Sequence, residues 1–199
     1  MRNLLIPKNR EKLHILVREI ESERNMTRLA RLLSKEEIPI LGVHILYPET
    51  NPQSFIASFS RYLEYKERLI SFVSALPTEV WKRTILFVES ESGAKVTSNF
   101  FFSIQAHSYS HSTYFMSTIG EIESPYDDEK AWRNPQKTQF NIMYGGYDRI
   151  RKALNDSIIF VFGCYKESCI RRVTAELRAI AMEKGRYNLK IPINSDLIL

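Results

Sequence analysis

The chain has 199 residues, 44% hydrophobic and 26% charged, with a formal net charge of +5, a balance that excludes a disordered or fibrous protein and fits one domain or two small ones. No apolar run approaches the ~20 residues that cross a bilayer, and the apolar start is too short for the core of an export signal. Two cysteines, Cys164 and Cys169, cannot build a disulfide scaffold, so a reducing, cytoplasmic setting without a membrane partner is expected. The mild basicity is compatible with anionic nucleotides or nucleic acid, but the cations are spread along the chain as on an ordinary solvated surface.

In chain order, residues 9–24 carry Leu13, Leu16, Val17 and Ile20 at helical spacing. Residues 26–34 read as a second short helix, with Leu29, Leu32 and Leu33 on one side and Asn25 and Thr27 as cap candidates. Residues 38–46 are apolar and β-branched and read as a strand, and the YPETNP cluster that follows reads as a turn. Residues 52–75 repeat Phe55, Phe59, Tyr62, Leu63, Tyr65, Leu69, Ile70 and Val73 at helical steps. Such an aromatic stripe is far more often a core face than a ligand surface. Residues 83–88 (RTILFV) are a buried strand, and residues 100–104 and 113–119 read as two more. Residues 121–141 turn polar, with Pro125 and Pro135, and read as a long loop.

The C-terminal stretch is the most organised. After a helical YDRIRKALN comes SIIFVFG, a strand with no polar interruption, as expected where both faces are covered. Gly163 frees the backbone for a sharp exit. Ser168 can cap the next helix, whose buried stripe is Ile170, Val173, Leu177, Ile180 and Ala181, with Glu176 on the stripe's flank. Gly185 closes that helix, and LKIPI reads as the returning strand. The fold class expected is α/β: a helical N-terminal half, then a sheet ending in a β-α-β unit, TIR-like or Rossmann-like. A boundary near residue 79 would give a helical region 1–79 and an α/β region 80–199; a single continuous domain is the equal alternative.

The strand SIIFVFG, the Ser168–Cys169 pair, the helical VTAELRAIAMEKG and the strand LKIPI together resemble the superfamily of Toll/interleukin-1 receptor (TIR) domains and nucleoside deoxyribosyltransferases. The resemblance covers about the last fifty residues. It implies an N-glycosidic bond as the target and Glu176 as the catalytic carboxylate, with NAD or a nucleoside entering as substrate and no cofactor. Gly163, Tyr165, Ser168, Arg171 and Arg172 would then line the substrate, joined by Tyr147 from the glycine-bearing YGGY segment.

Other patterns compete. Cys164, six residues and Arg171 are similar to the phosphate loop of low-molecular-weight tyrosine phosphatases, with one residue too many. Glu89, Glu91 and Lys95 follow a strand as in metal-dependent nucleases, but at the wrong spacing. His107 and His111 stand four apart, yet no third ligand has suitable spacing, so no metal is expected. Arg28, Arg31 and Lys35 could face phosphates, which makes a non-enzymatic nucleic-acid-binding protein the alternative function. A structural or interaction subunit without an active site is the third reading, and self-association is open.

Overall fold

The computed structural model describes residues 7–50, 52, 59–81, 84–88, 91–104, 114–117, 157–165, 169–183, 185 and 187–199. Of residues 7–10, 50, 91, 92, 94, 114–117, 172, 176, 180 and 183 only the backbone is described. The helices are α1 (Pro7–Ser22), α2 (Met26–Lys35), α3 (Tyr47–Thr50), α4 (Phe59–Ala75), α5 (Thr78–Trp81), α6 (Glu91–Ser103) and α7 (Arg171–Glu183). The strands are β1 (Ile40–Val43), β2 (Thr84–Val88), β3 (Tyr114–Ser117), β4 (Phe160–Gly163) and β5 (Ile193–Ile198). No helix among the described residues is long and apolar enough to cross a membrane.

All five strands are parallel, in the order β3-β2-β1-β4-β5. The fold is therefore α/β, and every residue of β1, β2 and β4 is buried, as a parallel sheet covered on both faces requires. The pleat divides these residues between two cores. Leu86, Val88, Phe160 and Phe162 face a helical layer supplied by α1, α2, α4, α5 and α6. Leu41, Val43, Ile85, Phe87 and Val161 face α7, which meets them with Val173, Leu177 and Ala181.

The helical layer is aromatic at its centre. Phe72 of α4 packs edge-on against Phe162, ring centroids 5.4 Å apart, and lies 5.8 Å from Phe160. Gly42 makes room for this: a Cβ there would stand 2.6 Å from Leu86 Cδ2 and 3.0 Å from Phe162 Cζ. The stripe on α4 is a core face, as its spacing predicts, through Tyr62, Tyr65, Leu69 and Val73. Phe59 and Leu63 are exceptions, 68% and 44% exposed.

The chain builds β2 and β3 on one side of β1, then returns to place β4 and β5 on the other. The order reverses between β1 and β4, and such a switch point opens a crevice at the carboxyl ends of the two strands. The boundary expected near residue 79 falls within this sheet, because β1 comes from one side of it and β2, β3, β4 and β5 from the other.

Three expectations change. Residues 100–104 are not a strand; residues 100–103 end α6 and Ile104 follows. A short apolar run has no period of its own; here Phe100 and Phe101 are both buried and Phe102 is 57% exposed, which fits a helix and not strand alternation. Phe101 then meets Trp81 at 5.0 Å between ring centroids. The strand expected over 38–46 stops at Val43, because His44 takes a left-handed φ of 48° and the YPET turn winds into α3. The last strand lies at Ile193–Ile198 rather than over LKIPI, from which Lys190 makes an isolated bridge to Ile158. Pro192 has no N–H to give to a ladder, so regular pairing begins beyond it.

This last strand is held to the helical layer by polar groups. Asn194 is fully buried and its side-chain amide donates to the carbonyls of Ile20 (2.8 Å), in the last turn of α1, and Glu23 (2.7 Å), just past its end. Asp196 accepts from Arg24 at 2.8 Å and from Arg68 of α4 at 3.2 Å. Replacing Asn194 with alanine leaves two carbonyls without that donor and is expected to cost about 2 kcal/mol, read as a lower urea midpoint with an unchanged slope. Gly163 has φ 138°, and a Cβ there would lie 2.0 Å from the Val43 carbonyl oxygen. Gly163→Ala should therefore lose at least about 3 kcal/mol or fail to fold, checked by far-UV circular dichroism and thermal melting.

Candidate functional site

The exits of β1 and β4 lie side by side because the two strands pair, Val43 opposite Gly163. Beyond Val43, His44 turns left-handed while its N–H still reaches the Phe87 carbonyl of β2 at 2.9 Å. The His44 carbonyl then accepts from Tyr47 N–H at 3.0 Å, which opens α3. Beyond Gly163, Cys164 N–H bonds back to the Val43 carbonyl at 3.0 Å, and Tyr165 takes a left-handed φ of 58°. The Tyr165 N–H donates to Leu199 at 3.2 Å, and its carbonyl accepts from Ile170 at 3.3 Å. That last bond spans five residues, a π-type turn leading into α7.

These turns bring three rings together. His44 stacks on Tyr47, centroids 5.5 Å apart and 18° between planes. Tyr47 meets Tyr165 at 5.6 Å and 84°. His44 is buried, whereas Tyr47 and Tyr165 are half-buried at the edge. Beneath them Cys164 is buried, its Sγ 3.5 Å from the Ile45 carbonyl, which also accepts from the Tyr65 hydroxyl at 3.0 Å. Cys164 is thus a packed core side chain, as the smallness and apolar character of a thiol allow.

Burial sets the charge state of the group. It lowers the His44 pKa to about 4, so the imidazole is neutral at pH 7. Burial also raises the Tyr62 hydroxyl well above its ordinary value, helped by its hydrogen bond to Glu49 at 2.6 Å. Tyr65 is raised by burial in the same way. The Glu49 carboxylate also accepts from Lys66 Nζ, which sits over the Phe100 ring 5.6 Å from its centroid. Among the described residues the result is an aromatic corner beside a self-neutralising Glu49–Lys66 ion pair.

Of the residues expected to bind substrate, Gly163 and Tyr165 lie in this corner and Arg171 is exposed at the start of α7. Glu176 belongs to the second turn of α7, directly downstream of the β4 exit; its side chain and that of Arg172 lie outside those described. Ser168, Tyr147, His107 and His111 lie outside the described residues altogether. Arg28, Arg31 and Lys35 are all exposed, and their spacing puts them on one side of α2; Lys35 approaches the Glu36 carboxylate at 4.0 Å. This basic face belongs to α2, whereas the corner is built from the exits of β1 and β4 with α3 and α4.

His44, Tyr47, Glu49, Tyr62 and Lys66 were not expected at a site. Residues 44–46 read as the end of a strand, 47–49 as a turn and 62–66 as a core stripe. Their one sequence signal is a histidine closing an otherwise apolar strand; only the parallel pairing of β1 with β4 sets it beside Tyr165.

An unfolded chain protonates His44 near its ordinary 6.5, the folded chain only near 4. Between these values the unfolded state holds the extra proton, so this group lowers stability as pH falls from 6.5 to 4, by about 3 kcal/mol at the lower end. Asparagine tolerates the left-handed backbone and does not titrate. From pH 7 to pH 4 the stability difference between His44→Asn and the unaltered chain should therefore shift by about 3 kcal/mol in the variant's favour, measured by urea unfolding at each pH.

No protein-family model, no curated protein and no solved structure matches this chain.

Proposed function

We propose that this chain is a nucleotide- or nucleoside-processing domain of TIR-like type that cleaves an N-glycosidic bond, with Glu176 as the catalytic carboxylate. The observation that carries the reading is the position of the β4–α7 connection. It leaves the sheet at the reversal of strand order, where a doubly wound fold takes its ligand, and the helix bearing Glu176 follows directly.

The chemistry asks for little else. As the bond from the ribose C1′ to the base nitrogen breaks, its electron pair leaves with the base and positive charge grows on the sugar. A fixed carboxylate stabilises that charge. Water then adds its oxygen to C1′ and gives up a proton. For NAD the departing nicotinamide leaves neutral; a neutral nucleoside also needs a proton on its base. Arg171, exposed at the first turn of α7, can meet a phosphate, while Gly163 lets the chain turn sharply out of β4 toward that helix.

The exposed face of Arg28, Arg31 and Lys35 supports the second reading, nucleic-acid binding. It requires affinity that falls steeply with salt and weakens when the three are changed to alanine.

The deciding experiment is incubation with NAD and a panel of nucleosides, with free base and nicotinamide measured by chromatography. The unaltered chain should release base from at least one of them, and Glu176→Gln should slow that release by about 100-fold or more. Absence of release from every substrate, by the unaltered chain, would remove the reading.

A further inference from the structure

We propose that Tyr47 and Tyr165 form the seat for a flat heteroaromatic ring, a purine or a nicotinamide, at the carboxyl ends of β1 and β4. The inference rests on the ligand edge proposed above but not on the cleavage reaction.

Two independent observations meet at this place. The first is conformational. Among the described residues three non-glycines have positive φ, Glu37, His44 and Tyr165, and two of them stand at the exits of paired strands. Histidine tolerates that region better than most side chains, a tyrosine is uncommon there, and non-glycine residues held there cluster at functional sites. Here both turns serve the same end: one leads into Tyr47, the other presents Tyr165. The second observation is the geometry of the rings. At 84° and 5.6 Å, Tyr47 and Tyr165 make a corner rather than a stack. A flat ligand lying parallel to one ring meets the other at right angles, and both arrangements suit the aromatic quadrupole. Tyr47 is itself steadied by His44, stacked at 5.5 Å.

The chemistry of the surroundings selects the ring over the sugar or the phosphate. His44 is buried, Tyr62 and Tyr65 are buried, and the Glu49 carboxylate that accepts from Tyr62 is neutralised by Lys66. These residues offer apolar area and π faces and carry no net charge among themselves. A base stacks well on such faces, whatever its hydrogen-bonding pattern.

Isothermal titration with nicotinamide mononucleotide, adenosine and ribose 5-phosphate tests this. The two ring-bearing ligands should bind, and ribose 5-phosphate should bind at least about ten-fold more weakly. Tyr165→Phe should match the unaltered chain. Tyr165→Asn, which suits a left-handed backbone, and Tyr47→Leu should each lose about ten-fold or more for the ring-bearing ligands. If a ring-removing variant does not fold, tyrosine ring resonances of the unaltered chain serve instead and should shift when adenosine is added. The proposal is overturned if neither ring-bearing ligand binds, if ribose 5-phosphate binds as tightly, if both folded ring-removing variants keep full affinity, or if no tyrosine resonance moves. Ring binding without release of base would refute cleavage and leave this seat. Base release with unchanged affinity in Tyr165→Asn and Tyr47→Leu would do the reverse.

Discussion

The structure depends on the close approach of β4 to β1 at Gly163. No side chain fits there, since a Cβ would stand 2.0 Å from the Val43 carbonyl oxygen. That same oxygen accepts the Cys164 N–H at 3.0 Å, and the Gly163 carbonyl accepts Leu199 N–H at 3.2 Å. One glycine thus joins the exit of β1, the exit of β4 and the residue that follows β5. A φ of 138° is open to glycine at little cost and to other residues only under strain. The tyrosine corner follows from it, because Tyr165 leaves the sheet in the direction this turn sets.

The charge state of the corner follows from how deeply the sheet is covered. With β1 and β4 buried along their whole length, the first residues beyond them are still shielded from water. His44 is held neutral by that shielding, and the Tyr62 and Tyr65 hydroxyls stay protonated. A fold with a thinner helical layer would leave the same histidine wet and titrating near its ordinary value. The helical layer is therefore not only packing; it sets the charge state of the groups at the strand exits.

The helical layer is in turn fastened to the far edge of the sheet by a few polar groups. Asn194 satisfies the carbonyl end of α1, and Asp196 gathers Arg24 and Arg68 from beside α1 and from α4. The register of β5 on β4 slips between Val161 and Gly163, and these polar residues lie in the slipped stretch. A buried amide with both donors used is a specific fastener: apolar contacts would tolerate a shifted helix, whereas these hydrogen bonds do not.

The sequence by itself determined the elements that carry a strong period or no polar interruption. α1, α2 and the buried face of α4 are legible in their apolar spacing, Asn25 in its cap bond to Arg28 N–H at 3.0 Å, and β2 and β4 in runs that only a doubly covered strand can hold. Gly163 and Gly185 are legible as turns, and both have positive φ. The tertiary structure alone decided the rest. It placed Phe100 and Phe101 in a helix, where Trp81 was waiting in the core, and it moved the last strand past Pro192 to residues whose polarity hides a buried Asn194 bonded to α1. It also made the candidate site. His44 and Tyr165 are 121 positions apart, and no spacing rule links them. Parallel pairing across a reversal of strand order does, because it sets the exits of two distant strands one hydrogen bond apart.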